Sequence, residues 1–302
     1  MKSICLAAQS IALGDSLIAL AGGQENMSMA KHAAYLRSGT KMGDINLVDT
    51  LITDGLIDVF NNYHMGITAE NIAQEFKISR EEQDEFACLS QNKAATALTA
   101  GAFKDEIVKI DIKNKREEIS FDKDEFIRVG VTIEKLRNLK PAFKENGTVT
   151  AGNSSGINDG AAAALLTNEK MLKKCNFKPM ARIVSFGVTG VDPKIMGIGP
   201  ISAVRLALKK ANWSIDDLDL IEVNEAFAAQ AIAVNRQLNW DTSKININGG
   251  AIALGHPIGA SGARILTTLI HSMKRKLAKK GMATLCIGGG MGIALCVESC
   301  MV

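Results

Sequence analysis

Residues 261–297 read SGARILTTLIHSMKRKLAKK, then GMATLCI, then GGG, then MGIALCV. The first block predicts a helix from Ser261 to Lys280. Its closing cluster of Lys274, Arg275, Lys276, Lys279 and Lys280 suits the negative end of a helix dipole better than an anionic partner. A strand Ala283–Ile287, the run Gly288-Gly289-Gly290 and a strand Ile293–Val297 follow. Upstream, the pattern predicts strands Arg182–Gly187, Asp219–Val223 and Lys244–Asn248, alternating with helices Ile201–Ala211 and Phe227–Leu238. Strands alternating with helices imply an α/β layered unit.

The N-terminus repeats the order of that stretch. A helix over 1–13, a strand over 17–21 and Gly22-Gly23 match the helix, the strand and the glycine run, and a strand Ala161–Leu166 matches Ile293–Val297. The chain therefore reads as two similar βαβαβαββ halves, the first incomplete, with an inserted α/β loop domain. Residues 1–27 and 158–177 are the expected remnant of the first half, 28–157 the insert and 178–302 the complete second half. By internal comparison, a complete first half would need roughly 80 further residues ahead of an uncapped helix at Met1. Within the insert, Ser79-Arg80-Glu81-Glu82 is a capping box opening a helix that runs to about Ala100 and stops at Gly101. Val108–Lys113 alternates as a half-exposed strand would, and the acidic patch Asp122–Glu125 reads as solvated surface.

The 302 residues are 47% hydrophobic and 22% charged, enough for a buried core and against disorder. A net charge of +3 gives no ground for nucleic acid or a membrane surface as partner. Six cysteines without a CxxC pair, and four scattered histidines, give no metal site; they read as reduced thiols of a cytoplasmic protein. Met1-Lys2, the apolar run and Ala19-Leu20-Ala21 outline a signal peptide, but Gln9 and Asp15 interrupt it, and helix, turn and strand describe the segment better.

Three motifs sit at C-terminal ends of expected strands, where open α/β sheets place ligands. They are Asn224-Glu225-Ala226-Phe227, Gly255-His256-Pro257-Ile258-Gly259-Ala260-Ser261-Gly262 and Cys286-Ile287-Gly288-Gly289-Gly290. Alone, His256 reads equally well as a structural histidine and Cys286 as a small core residue. Together, Asn, His and Cys form an acyl-transfer constellation. Gly152-Asn153-Ser154-Ser155-Gly156 formally matches a serine-hydrolase elbow but lacks the strand before and helix after that an elbow needs. No phosphate loop or dinucleotide fingerprint occurs.

These three motifs resemble the C-terminal signatures of thiolases. Ala21-Gly22-Gly23-Gln24-Glu25-Asn26-Met27-Ser28 and Thr150-Ala151-Gly152-Asn153-Ser154-Ser155-Gly156-Ile157-Asn158-Asp159-Gly160 resemble two further family segments, and Tyr63-His64-Met65-Gly66 resembles the biosynthetic, short-chain branch rather than the degradative 3-ketoacyl-CoA one. The resemblance implies the thiolase fold. It also implies joining of two acetyl-CoA into acetoacetyl-CoA and CoA, or the reverse thiolysis, with CoA thioesters as substrates, no cofactor and a homo-oligomer, usually a tetramer. It implies that His256 activates the nucleophilic thiol and hydrogen-bonds the thioester oxygen, that Asn224 holds a water there, that Cys286 moves the α-proton and that the Gly288 N–H serves a second oxyanion site. His64, Met65, Leu56, Phe143, Met196, Ala226 and Phe227 would line the acyl and pantetheine pocket; Arg128 and Ser155 would contact CoA.

One departure matters. The family's nucleophilic cysteine belongs to a CxSG segment that would directly precede Met1, and Cys5 sits too far inside the helix to replace it. The expectation is a truncated chain, inactive alone; the other readings are a non-catalytic CoA-binding remnant, one half of a split enzyme, or Cys286 itself acting as nucleophile.

Overall fold

The computed structural model describes residues 1–113 and 118–301; residues 114–117 of the expected insert and Val302 of the expected second half lie outside them. The chain opens with α1 (Lys2–Leu13), which Gly14 ends in the left-handed conformation, and β1 (Ile18–Glu25). Two minimal pairings follow, β2 (His32–Ala33) with β3 (Val48–Asp49) and β4 (Ile57–Asp58) with β5 (Tyr63–His64). The helices α2 (Met65–Glu75) and α3 (Arg80–Thr99) come next. The capping box at Ser79 is formed in full: its hydroxyl accepts the Glu82 N–H and the Glu82 carboxylate accepts the Ser79 N–H. A hairpin of β6 (Ile110–Lys113) and β7 (Glu118–Phe121) and the short α4 (Ile133–Arg137) complete this region. All four residues of β6 are exposed, so the expected half-exposed strand is a solvent hairpin.

The chain then returns to the first sheet as β8 (Gly160–Thr167), which pairs antiparallel with β1 from Ile18↔Thr167 to Glu25↔Gly160. After α5 (Glu169–Cys175) come β9 (Ala181–Gly190), α6 (Gly199–Ala211), β10 (Leu220–Val223), α7 (Ala228–Leu238), α8 (Ala251–Leu254), α9 (Ile258–Lys276), β11 (Lys280–Ile287) and β12 (Met291–Ser299). The second sheet runs β10-β11-β12-β9, with β10 parallel to β11 and the other neighbours antiparallel.

The expected strand Lys244–Asn248 is not a strand. It makes a single parallel bridge, Ile245 to Ile221. At the next residue the backbone turns left-handed, with Asn246 at φ 43°. The Asn246 side chain then takes over the pairing: its Oδ1 accepts the Val223 N–H and its Nδ2 donates to the Val223 carbonyl, both at 2.8 Å. An asparagine amide mimics a peptide unit, so the side chain supplies the rung that a third strand would have supplied. β8, β9, β11 and β12 run one to three residues past one or both of their expected ends, while β1 and β10 start one residue later than expected; α9 stops at Lys276, so Lys279 and Lys280 of the basic cluster lie beyond the helix and Lys280 opens β11.

Strand alternation sorts the core. Ala283 and Leu285 of β11 with Ile293, Leu295 and Val297 of β12 meet α9 (Ala263, Ile265, Leu266, Leu269, Met273), Ile4 and Cys5 of α1, and Met1 just ahead of it. The alternate residues Met282, Ala294 and Cys296 face α6 (Ile201, Val204, Leu208) and Val234 and Leu238 of α7. So α1 and α9 share one core with the sheet, and α6 and α7 cover its other face. Leu269 and Met273 are fully buried, and truncating such a side chain costs about 2–5 kcal/mol. The face that carries Met282 ends at Cys286.

The acidic patch is not wholly solvated. Asp124 is half-buried and, with Leu20, Gly22, Gln24, Glu106 and Arg264, lines a cavity of about 780 Å3 under β1 and β8. Burial raises its carboxyl above the usual range. No expected site residue borders this cavity. Among the described residues no helix is long and apolar enough to cross a membrane.

Candidate active site

Three chain turns bring the polar site together. The first follows β10. The Asn224 N–H donates to the Thr284 carbonyl at 3.0 Å, continuing the pairing with β11 and putting the fully buried Asn224 side chain at the sheet end. Glu225 points away from it and ties three elements: its carboxylate accepts from Ser90 Oγ of α3 at 2.7 Å, Asn246 Nδ2 at 2.8 Å and the Ile252 N–H of α8 at 3.3 Å. The second turn carries His256 between α8 and α9. Gly255 needs φ 100°, and a Cβ there would meet the Asn158 side chain, which accepts the His256 N–H at 3.1 Å. The third is the β11–β12 hairpin, where Cys286 is the last residue but one of β11, opposite Gly292, and Gly288 is exposed in the turn.

His256 and Asn224 meet: Nε2 and Nδ2 lie 3.2 Å apart. On the other side of the ring, Nδ1 is 2.6 Å from Ser261 Oγ. Burial pushes the imidazole down to about 4, with the Arg264 charge adding to it, so His256 is neutral at physiological pH. Cys286 is buried in an apolar cluster with Met65, Ala69, Met196, Ala226 and Phe227, and burial pushes its thiol up to about 12. It is therefore a protonated thiol until a ligand or charge changes its surroundings.

The apolar wall expected from the sequence assembles around that thiol. Met65, Met196, Ala226, Phe227 and Cys286 form one cluster with Phe143 against it. His64 caps α2 through Nδ1, which accepts the Gly66 N–H at 3.0 Å, and its ring stacks on Phe143 at 4.7 Å. Phe143 meets Phe227 edge-on at 6.1 Å. Leu56 stands further out, half-buried in the turn Leu51–Leu56 that leads into the β4–β5 pairing.

The two expected CoA contacts lie along one rim. Ser155 donates both its N–H and its hydroxyl to the Ala226 carbonyl, at 3.0 and 2.9 Å, so that hydroxyl hydrogen is spent on the loop. Arg128 is exposed, its guanidinium 5.2 Å over the Phe126 ring. A Cβ on Gly156 would strike that same ring, which puts Phe126 beside Ser155. The hydrolase elbow is excluded here: Ser154 is buried and donates to the Thr150 carbonyl at 2.7 Å, within a loop and not a strand–helix turn.

Sequence reasoning missed Ser261, Asn158, Glu225 and Glu70 as supports. The buried Glu70 carboxylate accepts Thr148 N–H and hydroxyl and Val149 N–H at 2.8 to 3.0 Å, fixing the loop behind Phe143. A carboxylate in the middle of the amphipathic α2 was the available signal.

Comparison with known proteins agrees with this geometry. The family model described as "Thiolase, N-terminal domain" matches residues 1–170, and "Thiolase, C-terminal domain" matches residues 177–299. The chain belongs to the thiolase family. Among relatives, an acetyl-CoA acetyltransferase of Paracoccus denitrificans is 60% identical over 298 residues, 99% of this chain and 76% of the relative. One of Rhizobium meliloti (strain 1021) is 58% identical with the same coverage. Among solved structures, the Bacillus anthracis acetyl-CoA acetyltransferase superposes with a TM-score of 0.96 at 48% identity, over 99% of this chain and 76% of that one. Human mitochondrial 3-ketoacyl-CoA thiolase gives the same values, so structural likeness alone does not separate the two thiolase branches. The chain has the thiolase fold, and its relatives support acyltransferase chemistry.

Proposed function

We propose that this thiolase chain serves acyl transfer between CoA thioesters: condensation of two acetyl-CoA to acetoacetyl-CoA and CoA, and the reverse thiolysis. The observation that carries the reading is the pairing of a neutral His256 with Asn224 at the end of the sheet that also ends in Cys286. In this chemistry the thioester oxygen sits between the Nε2–H that His256 carries once it has taken the proton of a thiol and a water held by Asn224. Cys286 first gives its thiol proton to the departing CoA sulfur; the resulting thiolate takes the α-proton, the C–H electron pair passes to the carbonyl oxygen as an enolate, and the proton returns from Cys286 in the reverse direction. The Gly288 N–H faces the second carbonyl, and the His64–Phe143–Phe227 wall with Met65, Met196, Ala226 and Leu56 holds the acyl chain and pantetheine. Arg128 and Ser155 lie on the CoA side. The stronger identity to proteins named acetyl-CoA acetyltransferase favours the short-chain branch over the degradative one.

A finer reading concerns the nucleophile. Cys5 is fully buried one turn into α1 with its thiol pushed up to about 11, Cys88 lies inside α3, Cys175 ends α5, and Cys296 and Cys300 lie in or after β12. None opens a helix, where a dipole would favour the thiolate. We therefore propose that the 302-residue polypeptide by itself does not form the acyl-enzyme and acts as a CoA-binding unit or as one part of a split thiolase. We retain the division into 1–27 with 158–177, 28–157 and 178–302, a homo-oligomeric state, a cytoplasmic location and substrates without a resident cofactor, nucleic acid or membrane. The test is acetoacetyl-CoA thiolysis by the purified polypeptide beside the Paracoccus denitrificans relative, with mass spectrometry of every cysteine. The reading predicts CoA binding, a rate at least a thousandfold below the relative (about 4 kcal/mol in barrier) and no acyl-cysteine. A comparable rate would overturn the inactivity; an acyl-Cys286 would make that residue the nucleophile.

A further inference from the structure

We propose that Ser261 is a positioning residue that holds His256 in the tautomer protonated at Nδ1, leaving the Nε2 lone pair free to accept a proton. Ser261 Oγ lies 2.9 Å from the Pro257 carbonyl, which can only accept, so the hydroxyl hydrogen is committed there. The same oxygen lies 2.6 Å from His256 Nδ1 and can meet it only with a lone pair, so Nδ1 carries the hydrogen. On the far side, the Asn224 Nδ2, a donor only, lies 3.2 Å from Nε2, so Nε2 accepts. Ser261 thus requires this tautomer, and the orientation of the Asn224 amide agrees with it. Both are fully enclosed, Ser261 and Asn224 each having no exposed surface, so water does not compete for either bond. Ser261 is the fourth residue of α9 and Pro257 its cap, so the helix start itself fixes the hydroxyl.

The consequence for chemistry rests on the acyl-transfer reading. A thiol approaching His256 displaces the Asn224 N–H from Nε2 and gives its proton there: the S–H bond breaks, the N–H bond forms, the electron pair stays on sulfur, and the imidazolium then donates from both nitrogens. With the other tautomer Nε2 would already carry a hydrogen and the transfer could not occur. The structure also says what would happen without Ser261. Asn224 Oδ1 is buried and has no hydrogen-bond partner. A turn of that amide would offer Oδ1 to an Nε2–H, so removing the hydroxyl leaves the opposite tautomer as the better-satisfied one.

The test is nitrogen-15 NMR of histidine-labelled protein at pH 7, with the His256→Asn variant assigning the His256 signals among four histidines. The proposal expects a single neutral His256 with Nδ1 protonated and Nε2 bare. Ser261→Ala is expected to move most of the population to Nε2–H, and Ser261→Thr to restore the native pattern. Ser261→Cys, which keeps the volume with a poor acceptor, substitutes for the alanine variant should that fail to fold, and is expected to show the same shift. A wild-type Nε2–H form, or alanine and cysteine variants with unchanged spectra, would overturn the proposal. Because the readout needs no turnover, a polypeptide that shows the expected tautomers but binds no CoA thioester would fail the acyl-transfer reading alone.

Discussion

Asn246 replaces a strand with a side chain, and its removal can be costed bond by bond. In Asn246→Ala the buried Val223 N–H loses its acceptor and the Val223 carbonyl its donor, both at 2.8 Å, and Glu225 loses the donor to its Oε1 at 2.8 Å. A buried polar group left unpaired costs about 1–3 kcal/mol. Alanine must also hold φ 43°, which adds about 1 kcal/mol. The three losses and the strain sum to about 4–10 kcal/mol. At roughly 2–4 °C per kcal/mol in a chain of this size, the melting temperature falls by at least 8 °C. Asn246→Gly removes the same bonds but tolerates the backbone, so it is expected to be about 1 kcal/mol milder than alanine. The assay is urea unfolding and thermal melting of the three proteins side by side. Alanine within 1 kcal/mol of wild type, or more stable than glycine, would refute the idea that this side chain does the work of a strand.

Three further outcomes follow from the geometry. A Cβ on Gly66 would lie 2.2 Å from the Phe143 ring, so Gly66→Ala is expected to break the His64–Phe143 stack and weaken CoA-thioester binding at least tenfold by calorimetry. Burial pushes the Glu222 carboxyl up to about 8, so its uncharged form belongs to the fold; that stability is complete below about 4.5 and drains away as pH rises to about 8. Glu222→Gln should therefore flatten the fall in urea midpoint between pH 5 and 8, and an unchanged slope would argue against this. With iodoacetamide at pH 8 the exposed Cys175 and Cys300 are expected to label first and Cys286 last, by peptide mass spectrometry.

The sequence made the repeat legible because glycine runs and strand-length apolar blocks recur in the same order, and α1–β1 with β8 does fold as α9–β11 with β12 does. The capping box at Ser79 was readable because a local rule fixes it, and short motifs at strand ends singled out His256, Asn224 and Cys286 as candidates. The segment Lys244–Asn248 misled because alternating isoleucines mark a strand, while the left-handed backbone at Asn246 depends on a partner, Val223, more than twenty residues away. Ser261, Asn158 and Glu225 were invisible as supports for the same physical reason. Their roles are set by side-chain contacts across elements, such as Asn158 on the His256 N–H, and no periodicity encodes those. Asp124 looked solvated because charge runs usually are; the enclosure by β1, β8 and Arg264 is a tertiary fact.

The central claim is that Cys286 moves an α-proton of a thioester bound beside His256 and Asn224, and this step can be watched without any acyl-enzyme. Purified polypeptide is incubated with acetyl-CoA in deuterated buffer and the acetyl methyl group is followed by proton NMR and mass spectrometry. The account predicts deuterium entering the methyl group faster than in buffer alone, with the gain abolished by Cys286→Ala and reduced by His256→Asn. Exchange no faster than buffer while acetyl-CoA is bound, or exchange indifferent to Cys286, would contradict it.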